Sequence, residues 1–220
     1  IIVFFLFYNA LNPATLGVGE MFHVIMCLVG TLFVLVGGFI FACISAYFAG
    51  LIGSTNNPAS GMIISSLLLF SFIVIMIFSI FSHLTHARAL ELGAFVVMVS
   101  ALVGCILCIA NDTMQDLKAG YMVGATPWKQ QVMLIVGVVV ASFVIAPVLQ
   151  LLFHAYGIGG VFPRPGMPES EMLAAPQATS MAALIQGVFN HNLPWAMLIT
   201  GAVIAVFAII ADEVLKRQGK

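Results

Sequence analysis

Residues Met21–Leu51 form an apolar run with no Asp, Glu, Lys or Arg. As a helix rising about 1.5 Å per residue, the run exceeds the roughly 30 Å hydrocarbon core of a bilayer. It therefore has to tilt or end in a polar cavity. Glycines at 30, 37 and 38 interrupt it only softly. Four more apolar runs follow, at Met62–Phe81, Leu92–Ala110, Val132–Phe153 and Trp195–Ala211. A chain patterned this way has lipid as its main solvent. The composition agrees, with 62% apolar residues, 7% charged residues and a mean hydropathy of +1.17, against about 25% charged residues in a soluble domain. The net charge of −1 offers no electrostatic footprint for nucleic acid. The fold class expected is an all-α polytopic membrane protein. It has about five full transmembrane helices plus a truncated N-terminal helix, with helix breaks or re-entrant segments.

The chain opens at Ile1 without a Met and without a signal-peptide pattern. Ile1–Tyr8 is too short to cross a bilayer, so it reads as the end of a truncated helix. Residues 1–220 then form one transmembrane region within a larger protein. Cys27, Cys43, Cys105 and Cys108 all lie in apolar segments. Cys105 and Cys108 have the spacing of a redox or zinc pair, but no His or acidic partner is near and no second pair follows. They read as small packing residues, and no cofactor is implied.

The polar stretches between the runs carry the remaining information. Residues 111–131, NDTMQDLKAGYMVGATPWKQQ, are the most polar and read as a polar loop. Residues 156–193 read as a Gly- and Pro-rich loop with an amphipathic helix, since Met181, Leu184, Ile185, Val188 and Phe189 share a helical face. The opposite face carries Gln177, Thr179, Ser180 and Gln186 and no charge, which suits protein or a watery cavity better than a headgroup layer. If each run crosses once, Lys118, Lys129, Lys216, Arg217 and Lys220 share a side, and Arg88 and Arg164 the other. The positive-inside rule places the 111–131 loop and the C-terminal tail in the cytoplasm.

Three groups of residues are candidates for chemistry. Asn12-Pro13-Ala14-Thr15 recurs as Asn57-Pro58-Ala59-Ser60, and Asn followed by Pro is a good helix start. Within a membrane, such a start leaves N–H groups and a positive dipole end to be met by protein, water or ligand. Broken helices of this kind build many transporter sites, although an ordinary capped turn has the same sequence. Ser54, Thr55, Asn56 and Asn57 exceed what a simple cap needs. The paired Asn-Pro-Ala elements resemble those of aquaporins. That match fails on spacing, with one long run between the elements and Ser60 where the Arg would stand, so an aquaporin-like or other channel is the minor alternative.

In the second group, Asp112 reads as the cap of a short helix, with Gln115 at the capping-box position and Gly120 at its end. Asp112 and Asp116 then share a face, where mutual repulsion favours proton uptake by one of them. A solvated helix with two ordinary carboxylates is the competing reading. Thr126-Pro127 starts the next helix. Trp128 is its interfacial anchor, and Lys129, Gln130 and Gln131 contact either headgroups or substrate. In the third group, Glu20 and His23 share a face at the start of the long run, where ionisable groups are costly and tend to be functional. His83, His86 and Glu91 lack a metal-binding pattern and read as an interfacial connector, as do His154 and His191 at helix ends. No metal site or enzymatic nucleophile is read.

GLIGSTNNPASGM at 50–62, NDTMQDLKAGYMVGATPWKQQ at 111–131 and LAAPQATSMAALIQGVF at 173–189 resemble segments of the oligopeptide transporter (OPT) family. The closest likeness is to its prokaryotic branch, related to yellow-stripe-like carriers of metal chelates. The resemblance implies a fragment of the C-terminal half of a bacterial inner-membrane importer, with the rest of the transporter's helices as partners. It implies a secondary transporter of peptides or peptide-like metal chelates, generally proton-coupled. Ser54, Asn56 and Asn57 match one family stretch, Asn111, Asp112, Gln115, Asp116 and Lys118 a second, and Gln177 a third. On this basis Ser54, Asn56, Asn57 and Gln177 are expected at the substrate. Asp112, Asp116, Lys118, Glu20 and His23 are the candidates for proton coupling.

Overall fold

A computed structural model describes residues 1–11, 16, 19–81, 86–159, 164–189 and 195–217. These residues form α1 (Ile2–Ala10), α2 (Glu20–Ile52), α3 (Ala59–Phe81), α4 (His86–Val123), α5 (Pro127–Tyr156), α6 (Pro176–Phe189) and α7 (Trp195–Arg217). Single 3-10 turns lie at Ser54–Asn56 and Glu169–Glu171. Among the described residues, five helices (α2, α3, α4, α5 and α7) are long and apolar enough to cross a bilayer. The chain is an all-α, multi-pass membrane protein. The first Asn-Pro-Ala-Thr element, His83 and His191 lie outside the described residues.

The boundaries follow from local chemistry. Glu20 in the first turn of α2 complements the positive helix end. Gly53 stops α2 with φ at 83°, a conformation costly for any residue with a Cβ. The loop expected over 111–131 is corrected here. α4 is one helix of 38 residues that runs through Asn111 to Val123, so Asp112 is an interior residue and caps nothing. Met, Gln, Leu, Lys and Ala in that stretch are good helix formers, and polarity alone does not end a helix that has left the lipid. The end comes at Gly124, with φ at 75°, not at Gly120. There the Ala125 N–H bonds the Gly120 carbonyl at 2.8 Å and the Gly124 N–H bonds that of Tyr121 at 3.3 Å, the pattern of a Schellman cap. Pro127 then opens α5, as expected.

The core lies where α2 and α3 pack on α4, with α1 against α2. Four rings form a continuous aromatic path through it. Phe33 lies 4.7 Å from Phe70, Phe70 lies 5.6 Å from Phe95, and Phe95 lies 5.2 Å from Phe7. Gly30 and Gly38 let α2 approach closely, since a Cβ on them would stand 2.7 Å from the Phe95 ring and 2.9 Å from Ile106. On the amphipathic α6, Ile185, Val188 and Phe189 are buried, and Met181 and Leu184 pack against the core. α5 and α7 are exposed along their most apolar stretches.

Candidate functional site at the helix breaks

The interruption between α2 and α3 meets the middle of α4 in a network of uncharged side chains. Ser45, buried in α2, donates through Oγ to the Leu107 carbonyl of α4 at 2.7 Å. Asn57 donates through Nδ2 to Ser45 Oγ at 2.8 Å and to Asn111 Oδ1 at 2.7 Å. Asn111 Nδ2 donates to Ser54 Oγ at 2.7 Å, and Ser54 Oγ reaches Asp112 Oδ1 at 3.4 Å. The Asn111 amide is used on both sides, through Oδ1 and Nδ2, and α2, the 3-10 turn, α3's entry and α4 are tied into one unit. The Asn57 Oδ1 atom is shut away without a partner among the described residues.

Asn57 therefore does not cap α3 with its side chain. The Ala59 N–H instead bonds the Asn57 main-chain carbonyl at 2.8 Å. A half-buried amide facing the buried Ser45 and Asn111 gains more from them than from a helix start already served by main chain. Of the residues expected at the substrate, Ser54 and Asn57 are brought together here. Asn56 is not, since its amide turns back to the Ile52 carbonyl at 3.2 Å on the exposed side.

Gln177 lies elsewhere, at the start of α6, where its Nε2 donates to Ser60 Oγ at 2.6 Å. The starts of α3 and α6 are thus joined side by side, and Ile64 of α3 shares a cleft of about 160 Å³ with Gln177 and Met181. Next to it is an open cavity of about 620 Å³, lined by Gly159, Leu173, Ala174, Pro176, Thr179 and Ser180 among others, with no charged side chain in its described wall. The Thr179 and Ser180 hydroxyls donate back to the carbonyls of Ala175 and Pro176, which leaves their oxygens as acceptors. An isolated parallel bridge between Ile158 and Leu173 closes one edge.

The candidate ionisable groups separate. Asp112 touches the network. Asp116 is exposed, and its main-chain carbonyl accepts from Gln130 Nε2 at 3.3 Å. Gln130 lies over Gly120, the residue that makes room for it. Lys118 stands 5.6 Å over the Tyr121 ring, and among the described residues no ion pair joins it to either aspartate. Glu20 is exposed and accepts from Tyr8 Oη at 3.3 Å. His23 is buried, with its ring 4.5 Å from that of Tyr8. Lys129 lies 5.9 Å over the exposed Trp128 ring. Among the described residues no three His, Cys, Asp or Glu side chains group as metal ligands.

Ser45 and Ser60 belong to these arrangements; Ser45 was not singled out in the sequence, and Ser60 entered only as the last residue of the second Asn-Pro-Ala element. The signal for Ser45 was its position as a hydroxyl inside an otherwise apolar helix, twelve residues before Asn57.

The family model for "OPT oligopeptide transporter protein" matches residues 2–220. The chain belongs to the OPT family. A protein of Haemophilus influenzae named "Putative oligopeptide transporter" is 43% identical over 183 residues, which are 82% of this chain and 29% of that protein. This OPT chain thus spans under a third of the length of that curated relative. No solved structure matches it.

Proposed function

We propose that the chain is part of a secondary active transporter in the cell membrane that imports oligopeptides. The observation that carries the reading is the joining of the α3 and α6 starts at Ser60 and Gln177, beside an uncharged cavity of about 620 Å³. Two helix starts side by side repel unless an anion or water meets them. A peptide's terminal carboxylate is such an anion, and free N–H groups in the first turns are its donors. Gln177 adds an uncharged hydrogen bond. Ser54, Asn57, Asn111 and Asp112 act one layer away, holding the break between α2 and α3 in shape. Family membership and the relative's name support the transport class. The coupling ion in this reading is the proton, with Asp112 as the carboxylate that can pass a change of charge into the network.

The test is uptake by the full-length parent protein in proteoliposomes, with a labelled peptide pool and an imposed inward proton gradient. Saturable, gradient-driven accumulation that weakens in Gln177→Ala mainly through KM supports the reading. Uptake that neither saturates nor responds to the gradient sinks it in favour of a channel. Competition by a peptide-like metal chelate at the same site would identify chelates as the substrate class.

A further inference from the structure

Pro176 opens α6, and a residue that precedes Pro is pushed toward extended backbone. The stretch 172–175 is accordingly non-helical, and it lies in the wall of the uncharged cavity. Leu173 forms the parallel bridge to Ile158, and its carbonyl accepts from the Gly159 N–H at 3.1 Å. In extended chain the N–H and C=O of one residue point to the same edge, and those of its two neighbours point to the other. Leu173 thus spends its groups on the chain after α5. The Met172 carbonyl and the Ala174 N–H stand on the opposite edge. Among the described residues neither has a hydrogen-bond partner, and both residues line the cavity.

A bare strand edge is a template for a second extended chain. This one offers an acceptor and a donor on either side of Leu173, about 7 Å apart along the strand. In parallel pairing, such a set takes both main-chain groups of one residue of the added chain. The N–H of that residue goes to the Met172 carbonyl, and its C=O accepts from the Ala174 N–H. The wall around them does little to choose among side chains. It carries no charge in its described part, and Gly159, Ala174, Ala175 and Ala183 leave room. The strand also has an end, since the Ala175 carbonyl is already taken by the Thr179 N–H of α6.

We propose that 172–174 binds the substrate peptide as an added parallel strand, so that the transporter reads peptide backbone and is indifferent to side chains. The inference rests on the peptide reading above. That reading puts the carboxylate at the start of α6, to which this strand leads directly, and so fixes the parallel direction. An antiparallel peptide would bring its ammonium group to the positive end of α6. In a tripeptide the second residue then stands opposite Leu173 and makes both bonds. The N–H of the third residue points away from the strand.

The experiment is uptake of labelled trialanine by the full-length protein in proteoliposomes. The competitors are trialanines methylated on the main-chain nitrogen of the second or of the third residue. Losing one hydrogen bond and leaving its partner unpaired weakens binding about tenfold. The form methylated at the second residue should therefore compete about tenfold more weakly than trialanine. The form methylated at the third residue, and triserine, should compete as trialanine does. Ala174→Pro removes the N–H that meets the substrate carbonyl and should raise KM for trialanine about tenfold. Should that variant fail to fold, the peptide series decides, since it uses the native protein. Equal competition by the two methylated forms, a greater loss at the third residue, or a native KM in folded Ala174→Pro overturns the strand pairing and leaves peptide transport standing. If no trialanine accumulates at all, the transport reading falls and the pairing falls with it.

Discussion

Asn57 and Asn111 meet side chain to side chain, Nδ2 to Oδ1 at 2.7 Å, across 54 positions of sequence. One closes the break between α2 and α3, and the other lies within α4. Asn57→Ala would leave the Asn111 oxygen and Ser45 Oγ without a donor. A buried polar group left unpaired costs about 1–3 kcal/mol. The expected result is a lower thermal midpoint for the full-length protein in detergent, with the helical signal kept below the transition. Asn57→Asp should be at least as damaging, since a carboxylate brings no N–H to either acceptor. A midpoint unchanged in both variants would show that the bond contributes nothing.

The glycines of α2 give a graded prediction. Gly→Ala in a helix gains up to about 1 kcal/mol in propensity, and overpacking costs about 1–3 kcal/mol. At Gly37 the nearest atoms to an added Cβ are 3.5 Å away, so Gly37→Ala should be neutral or stabilising. At Gly38 the obstacle is the tip of Ile106 at 2.9 Å, which can rotate aside. At Gly30 it is the Phe95 ring at 2.7 Å, itself wedged between Phe7 and Phe70. Gly30→Ala should therefore destabilise most. Thermal unfolding of the three variants checks the order, and equal midpoints would refute it.

At the turn between α4 and α5, Gly120 and Gly124 are needed for different reasons. Gly120 makes room, because a Cβ there would run into the Gln130 amide. Gly124 is needed for its backbone, with φ at 75°. The cost of Gly120→Ala should fall when Gln130→Ala is added, whereas Gly124→Ala should not be rescued by any side-chain removal. A double-mutant cycle on thermal stability distinguishes them, and additive effects at 120 and 130 would contradict the packing explanation.

How much of this was legible in the sequence depends on what the chain's solvent demands. Lipid requires long unbroken apolar helices, so the five spans could be read from Met21–Leu51 and its successors. Beyond the lipid that demand lapses, and the polar stretch after Asn111 read as a separate short helix within a loop, although its helix formers carry α4 on to Val123. The second Asn-Pro element did mark a break. Its assignment as a cap assumed that Asn57 serves its own helix, but three helices surround it, and burial turns its amide toward Ser45 and Asn111. Asn56, next to it and exposed, serves its own helix. His23 stood out as an ionisable group at a span edge, and only the packing of Tyr8 over it distinguishes burial from a place at the interface. Gln177 was singled out from a motif, and its partner Ser60 comes from a contact across 117 positions.

Asp112 and Asp116, one turn apart and equivalent by spacing, should behave differently. The Asp112 carboxylate accepts from Ser54 Oγ at 3.4 Å and from Asn111 Nδ2 at 3.3 Å, so a proton on it would change the charge next to the network that shapes the break. Among the described residues the hydrogen bond of Asp116 runs through its main-chain carbonyl, and its exposed carboxylate has solvent for company. In gradient-driven uptake by the full-length protein, Asp112→Asn should change the pH dependence and lower accumulation severalfold. Asn keeps one oxygen for Ser54, so the loss should appear without a large fall in thermal stability. Asp116→Asn should leave the pH profile as it is in the native protein. The reverse pattern would assign coupling to Asp116, and native profiles in both would remove this face of α4 from the coupling role.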